Sequence, residues 1–226
     1  DLGKAWHTYI TLHGFPILYT PYIDFPLSGR RKSGFLIPSF GKNDNSGSFF
    51  SLPYYLNLAP NYDATLTPFI YEKRGAGVST EIRTLSSWQS STLNYSILPD
   101  DTLYSTTRSY GVFKQAGAIS SFSSYHLELR SISDDDYFRD LGDSFADSST
   151  SSLRSFANLS FSYSRVNGNL LLEKYDVLDS SVPPYRRLPD LTLNWSPTTD
   201  DIFSQLIIFR WTNFKHEMPD IKSQGN

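Results

Sequence analysis

Residues 21–40 read PYIDFPLSGRRKSGFLIPSF, and residues 52–68 read LPYYLNLAPNYDATLTP. Two runs in this region, 34–40 and 48–57, have the apolar and aromatic content of β-strands, yet Pro38 lies inside the first and Pro53 inside the second. Proline lacks the N–H group that a sheet ladder requires, so within sheets it is confined to edges, strand starts and bulges. Two successive strands that each carry one predict a sheet edge that pairs poorly.

The composition of the chain is typical of a β protein. Of its 226 residues, 15% are aromatic, and aromatic side chains favour the pleated surface of a sheet. The mean hydropathy of −0.35 excludes a bundle of transmembrane helices. It is compatible with a transmembrane β-barrel, because barrel strands turn every second residue towards a polar lumen. The net charge of −3 provides no basic surface for nucleic acid.

Apolar and polar residues alternate in many segments after residue 34. Leu159 and Phe161, for example, alternate with Ser160 and Ser162. A period of two predicts strands with one apolar and one polar face. We predict strands at 34–40, 48–57, 62–72, 76–85, 91–98, 107–115, 119–131, 154–165, 169–177, 188–195 and 202–214.

The predicted connections fall into two alternating sets. Short turns are predicted at 59–61, 86–90, 115–118, 166–168 and 196–201. Mostly long, polar loops are predicted at 41–47, 99–106, 132–153 and 178–187, with 73–75 as a short exception. Short turns at one end and long loops at the other are the layout of outer-membrane barrels, although a soluble β-meander produces it by chance. The pattern alone leaves a membrane barrel and a soluble all-β domain equally open.

The stretch from Pro21 to Pro68 resembles the signature of the LptD family, also called OstA or Imp, of outer-membrane lipopolysaccharide-assembly proteins. It follows P-Y-x-x-[FL]-P-[IVL]-x-x-R-R-K-[ST]-G-F-L-I-P and then P-Y-Y-x-N-[IL]-A-P-N-x-D-A-T-[IL]-T-P almost letter for letter. Weaker similarities to the family follow at Lys73-Arg74-Gly75, at Glu81-x-Arg83-x-Leu85, and at Ser133-Asp134 with Tyr137-Phe138.

The resemblance implies an all-β fold in two parts. Residues 1–29 are expected to be the last strands of a periplasmic β-jellyroll. Residues 30–226 are expected to be the first strands, about eleven, of a large transmembrane β-barrel. The chain is then expected to be an internal piece of a longer protein. Some family members join the two parts by disulfides, but this chain contains no cysteine.

The resemblance also implies a function in the outer membrane. The family transports lipopolysaccharide and inserts it into the outer leaflet through a barrel with a lateral gate. The expected partners are lipopolysaccharide, outer-membrane lipid, the LptE lipoprotein in the barrel lumen and the periplasmic LptA bridge through the jellyroll. Neither enzymatic activity, a cofactor nor nucleic acid is expected.

Two groups of residues are candidate sites. Pro38 and Pro53 are expected to belong to the lateral gate, and the alternative is that they only mark bulges. Arg30, Arg31 and Lys32 are expected at the periplasmic rim of the barrel, where they would contact lipopolysaccharide phosphates. The alternative for these three is an interfacial anchor or a solvated turn.

No motif for covalent chemistry or metal binding stands out. The histidines, at 7, 13, 126 and 216, form no paired-ligand pattern, and there is no nucleophile motif or phosphate loop. The acidic residues Asp134-Asp135-Asp136, Asp140 and Asp143 carry calcium-type oxygen ligands, but their spacing does not fit an EF-hand, and an acidic extracellular loop is the expectation. Two alternative functions are a passive porin, which would lack the proline-bearing first strands, and a soluble glycan-binding β-sandwich, which would dissolve without detergent.

Overall fold

The computed structural model describes residues 2–12, 15–26, 31–142, 150–179, 186–197, 199–200 and 203–215. Nearly all of them lie in antiparallel strands, so the all-β prediction is confirmed. The first two strands, β1 (Leu2–Leu12) and β2 (Phe15–Pro26), form a two-stranded sheet of their own.

The main sheet contains thirteen further strands. These strands are β3 (Gly34–Phe35), β4 (Ser39–Asn43), β5 (Gly47–Ser51), β6 (Tyr54–Ala59), β7 (Tyr62–Tyr71), β8 (Gly75–Leu85), β9 (Gln89–Asp101), β10 (Thr106–Ser120), β11 (Ser123–Ile132), β12 (Ser152–Tyr163), β13 (Val166–Val177), β14 (Arg186–Trp195) and β17 (Ile207–Lys215). Two short strands between β14 and β17, β15 (Thr199–Asp200) and β16 (Phe203–Ser204), form a separate hairpin.

Successive strands of the main sheet are neighbours in space. The segments β3 and β4 are two halves of a first strand, and β5 and β6 are two halves of a second. The sheet is therefore an antiparallel meander that runs from β4 through β5 and β7 to β14 and β17. When β3 and β6 are counted with β4 and β5, it is eleven strands wide in the described part of the chain. The two edge strands do not pair with each other within those residues, so the sheet is open there.

The sheet has one apolar and one polar face, as the alternation predicts. On the apolar face, Leu159 of β12 pairs with Tyr125 of β11 and Leu170 of β13. On the polar face, the Ser160 hydroxyl donates a hydrogen bond of 3.1 Å to the side chain of Asn169. Because the register pairs apolar residues with apolar residues on the neighbouring strands, the apolar side chains form continuous rows across the sheet.

A short helix, α1 (Tyr137–Leu141), packs against the end of the sheet where the longer connections lie. It belongs to a hydrophobic cluster formed by Tyr71, Leu98, Tyr137, Phe138, Leu141, Leu153 and Leu178. Among the residues described, no helix has the length and apolar character needed to cross a membrane.

Two predicted turns are wrong. Turns predicted at 115–118 and 166–168 lie at 121–122 and 164–165 instead, and Gly117 and Gly168 fall inside strands. The ring of Phe161 occupies the space that a Cβ would need at Gly168, and the Trp88 carbonyl together with the ring of Tyr125 does so at Gly117. Both glycines therefore leave room for an aromatic side chain to lie across the strand. From the sequence alone, such a glycine cannot be distinguished from one that marks a turn. The predicted long loops also include tight turns, at 44–46, 72–74 and 102–105.

Candidate functional site

The first and second strands are both interrupted at the same level. Residues 36–38 separate β3 from β4, and residues 52–53 separate β5 from β6. The pairs Phe35–Tyr54 and Ser39–Ser51 bracket the interruption, so three residues of the first strand face two of the second. This is a β-bulge at the edge of the sheet, and both predicted prolines lie in it. Their role in a gate stays a prediction.

The hydrogen bonds around the bulge are incomplete because of the prolines. The N–H of Leu36 donates to the carbonyl of Pro53 at 2.9 Å. Residues paired in this way normally exchange two bonds, but Pro53 has no N–H to return to Leu36. The same defect occurs one strand further in, where the N–H of Leu52 donates to the carbonyl of Pro68 at 3.1 Å. Sequence reasoning missed Pro68, although it is a proline inside a predicted strand.

An ionic cluster lies at the short-turn end of the same strands. We call Arg31, Tyr55, Asp63 and Arg83 the Asp63 cluster. The Asp63 carboxylate, whose side chain is only 4% exposed, accepts bonds from Arg31 Nη1 at 2.7 Å, from Tyr55 at 3.0 Å, and from Arg83 Nε and Nη2 at 2.8 and 3.1 Å. The register that pairs Asp63 with Arg83 brings these charges together on the polar face.

Arg31 ties the segment before β3 to the sheet. Its Nη2 donates to the carbonyl of Pro60 at 2.5 Å, and its own carbonyl accepts a bond of 3.0 Å from the Asn57 side chain. Of the predicted basic triplet, Arg30 lies outside the described residues and Lys32 is exposed. The phosphate contact of the triplet stays a prediction, and the Arg31 guanidinium already has an internal partner.

A second ionic cluster lies at the opposite end of the strands. We call Arg74, Asp101, Arg108, Asp134 and Asp140 the loop-end cluster. Arg108 is 0% exposed, and its Nη1 donates to Asp101 at 3.1 Å and to Asp140 at 3.0 Å. Its Nε and Nη2 donate to the two oxygens of Asp134 at 2.9 and 2.6 Å. Arg74 donates to Asp101 at 2.9 Å and lies 3.3 Å from Asp140.

The loop-end cluster holds the segment 133–142, which includes α1, over the polar face. Asp134 and Asp140 belong to this segment, whereas the two arginines belong to the sheet and its turns. The Ser46 hydroxyl donates to the Asp140 carbonyl at 2.5 Å, and the Asn45 side chain donates to the Arg139 carbonyl at 2.9 Å. With the bond from the Tyr104 hydroxyl to Asp136, segment 133–142 is attached to the turns at 44–46, 72–74 and 102–105.

Three of the acidic residues considered as calcium ligands instead accept hydrogen bonds from protein side chains. Asp134 and Asp140 bind Arg108, and Asp136 accepts a bond of 2.7 Å from the Tyr104 hydroxyl. Asp143 lies outside the described residues. In the part of the chain that the structure describes, no group of three or more potential ligands is placed to hold a metal ion.

A cavity of about 500 Å³ remains on the polar face beneath segment 133–142. Its walls combine the hydroxyls of Thr67 and Ser79 and the amide of Asn94 with the rings of Phe69 and Tyr110. The cavity therefore offers both hydrogen-bonding groups and apolar surface.

Two contacts of the connecting turns shift pKa values. The hydrogen bond from Tyr104 to Asp136 raises the pKa of Tyr104 to about 12 and lowers the pKa of Asp136. The backbone N–H of Ser48 donates to Glu72 at 2.9 Å and holds the pKa of Glu72 below its ordinary value.

We expect the turns at this end to loosen only outside a broad pH range. The lowered pKa values of Asp136 and Glu72 mean that their contacts stabilise the fold above about pH 4.5 and are lost as the pH falls further. The raised pKa of Tyr104 means that its contact persists to at least about pH 10. A spin label at Leu103→Cys should keep constant mobility between these limits and become more mobile below about pH 4.

Tyr104→Phe is the matched control for this pH dependence. It removes the hydrogen bond to Asp136 at every pH, so the label should already be more mobile than in the parent protein between about pH 5 and 9 and should change less below about pH 4. A mobility that rises steadily between about pH 5 and 9 contradicts the assignment of these contacts.

Comparison with known proteins gives one consistent result. The family model described as "LPS transport system D" matches residues 106–217, and the one described as "LptD protein" matches residues 5–86. The chain is 35% identical over 219 residues to the LPS-assembly protein LptD of Idiomarina loihiensis, which covers 96% of this chain and 29% of that protein. It is 37% identical over 223 residues to the LPS-assembly protein LptD of Chromobacterium violaceum, covering 95% of this chain and 28% of that protein. The chain thus spans less than a third of the length of these curated relatives.

Proposed function

The chain belongs to the LptD family of LPS-assembly proteins, and on this premise we propose that it forms the first strands of an outer-membrane barrel that transports lipopolysaccharide to the outer leaflet. Transport of this kind needs no covalent chemistry from the chain. A barrel strand, a polar lumen and a place for the lipid to leave sideways are the features that it requires.

The apolar face of the sheet supports insertion in a membrane. Large side chains on it are left exposed, including Ile70 and Ile82 near one edge and Phe209 and Trp211 near the other. In the described part of the chain no second layer of structure covers this face. A sheet face of this width and composition suits contact with hydrocarbon, and the polar opposite face suits a lumen.

The bulge at the edge of the sheet is the observation that carries the gate proposal. A closed barrel has no free edge, so a lipid leaves it sideways only where a seam opens at low cost. The bulge leaves Pro53 and Leu36 with one hydrogen bond in place of two. Each missing backbone bond removes about 0.5–1.5 kcal/mol of net stability from the first strands.

The partners follow from the same premise and are proposals of the same kind. LptE would occupy the lumen, where the polar face keeps a cavity of about 500 Å³. LptA would dock through the jellyroll, whose last strands we assign to residues 1–29, and strand addition to an exposed sheet edge is the expected mode. This boundary is supported by β1 and β2, which pair with each other and, among the described residues, with no strand of the main sheet. Residues 30–226 are assigned to the barrel.

Replacing Pro38 and Pro53 together by alanine should tighten the first strands. Alanine at position 53 restores an N–H that faces the Leu36 carbonyl, so the ladder gains a bond worth about 0.5–1.5 kcal/mol. In cells that rely on the full-length protein, we expect less newly made lipopolysaccharide at the surface and greater sensitivity to large hydrophobic antibiotics. Protein level and heat-modifiable migration should be normal.

Pro68→Ala is the matched control for this experiment. It restores a donor of the same kind, but between the second and third strands, away from the edge. We expect it to leave lipopolysaccharide delivery near the parent level. If the Pro38/Pro53 replacement leaves delivery and antibiotic resistance unchanged at normal protein levels, the two prolines only mark the bulge.

A further inference from the structure

The base of the first strand is held mainly by side chains. Segment β3 makes only two register pairs with β6, at Gly34 and Phe35, before the bulge begins. Ahead of β3, the N–H of Asn57 donates to the Ser33 hydroxyl at 2.8 Å, and Arg31 reaches across β6 to Asp63 on β7. The Arg31 guanidinium also donates to the Pro60 carbonyl. The position of residues 31–35 therefore depends on a few bonds, and the two made by the Arg31 guanidinium are among them.

The Asp63 carboxylate does not depend on Arg31 in return. Arg83 supplies two hydrogen bonds and Tyr55 supplies a third. A carboxylate accepts about four such bonds, so three donors leave it well satisfied. Arg31 can thus depart without leaving a buried charge unpaired, which is the costly outcome when an ion pair is broken.

Arg31 is also the accessible member of the pair. Its side chain is 50% exposed, whereas that of Asp63 is 4% exposed. The adjacent Lys32 is exposed and carries a second positive charge. A guanidinium binds phosphate through two parallel hydrogen bonds, and a phosphate monoester carries more charge than one carboxylate.

We propose that Arg31 is an anion-operated latch, in which a phosphate group takes the Arg31 guanidinium from Asp63 and from the Pro60 carbonyl and loosens the base of the first strand beside the bulge. This deepens the proposed function, on which it rests for its biological meaning. No bond of Asp63 to Arg83 or Tyr55 changes, so β6, β7 and β8 stay joined while residues 31–35 gain freedom. Binding of the anionic group to Arg31 and loosening of the first strand at the edge of the sheet are thereby coupled.

The latch is tested with spin labels on the full-length protein in detergent. Gly34→Cys places one label where nothing lies within 4 Å of the added Cβ, and Leu85→Cys places the other at an exposed end of β8. Pulsed electron paramagnetic resonance then measures the distance between them. Inorganic phosphate is one probe, mixed micelles containing dioleoylphosphatidic acid are the second, and sodium chloride at matched ionic strength is the control.

We expect a narrow distance distribution that gains a longer component with a phosphate probe and not with sodium chloride. A response to the lipid alone assigns the latch to a lipid head group, and an equal response to inorganic phosphate assigns it to phosphate in general. Arg31→Gln should show the longer component without any probe and no further change. Arg31→Lys, which keeps the charge but not the fork of donors, should lie between Arg31→Gln and the parent protein.

Two further variants sharpen the test. Arg83→Gln makes Asp63 dependent on Arg31, so the phosphate concentration for half of the response should rise about tenfold, equivalent to one charge-assisted hydrogen bond. Arg165, at another turn of the same end, donates to the Pro197 carbonyl, and Arg165→Gln should respond like the parent. A response that persists in Arg31→Gln, or that sodium chloride reproduces, overturns the proposal.

The latch and the gate fail independently. If phosphate does not move the labels but alanine at Pro38 and Pro53 still reduces lipopolysaccharide delivery, the latch is wrong and the gate stands. If phosphate moves the labels but the proline replacements leave delivery unchanged, the latch is a real anion response and the gate proposal is wrong.

Discussion

Replacing Arg108 by methionine is expected to lower the free energy of unfolding by about 3–5 kcal/mol and to free segment 133–142 from the sheet. Arg108 is fully buried and is shared by Asp101, Asp134 and Asp140. Methionine keeps much of the side-chain volume but removes the charge. Asp101 and Asp140 then remain in a poorly solvated position with Arg74 as their shared cation.

Urea unfolding of the refolded full-length protein measures the first effect, and trypsin cleavage after Arg139 measures the second. Arg130→Met is the matched control, because Arg130 pairs with Glu128 on the same face but keeps 31% of its side chain exposed. That replacement should cost at most about 1 kcal/mol and leave cleavage after Arg139 unchanged. An Arg108→Met protein within about 1 kcal/mol of the parent contradicts the structural importance of the cluster.

Arginine at Leu159 is expected to reduce folding into the membrane strongly, by about 2–4 kcal/mol if the site lies near the bilayer midplane. Leu159 lies on the apolar face, between Tyr125 and Leu170 of the adjacent strands. The charge would have to remain in hydrocarbon or distort the bilayer. The folded fraction, read from heat-modifiable migration after refolding into lipid, measures the loss.

Arginine at Ser162 provides the comparison for Leu159→Arg. Ser162 lies on the same strand but on the polar face, where its hydroxyl donates to the Asn167 side chain at 2.6 Å. Loss of this exposed bond should cost no more than about 1.5 kcal/mol, and the new charge can remain in water. Equal losses from the two arginines contradict the proposal that the apolar face contacts lipid.

The first strand combines a weak middle with two held ends. The bulge at 36–38 and 52–53 interrupts its ladder, the Asp63 cluster holds its base, and Asn45 and Ser46 join the following turn to segment 133–142. The backbone ladder between β4 and β5 holds the far half of this strand over five register pairs, whereas the half before the bulge makes only two such pairs and relies more on side chains. A strand held in this way can respond to a ligand that competes for one side chain, as proposed for Arg31.

Much of the fold was predictable from the sequence, because the decisive signals are local. Alternation at Leu159, Ser160, Phe161 and Ser162 predicts the two faces, since side chains along a strand point to opposite sides with a period of two. The internal prolines predict the interrupted edge, because a missing N–H is a property of the residue itself. The similarity between Pro21 and Pro68 predicts the family, which the comparisons confirm.

The ionic clusters were decided only by the tertiary structure. Arg31 and Asp63 are 32 residues apart in sequence, as are Arg108 and Asp140. Whether such charges meet depends on strand register and on the path of the connecting turns, and a shift of one residue would place them on opposite faces. The same dependence explains the misplaced turns, since Gly117 and Gly168 meet the rings of Tyr125 and Phe161 only when neighbouring strands are aligned. Local chemistry specifies strands and breaks, whereas contacts between distant charges exist only once the sheet has assembled.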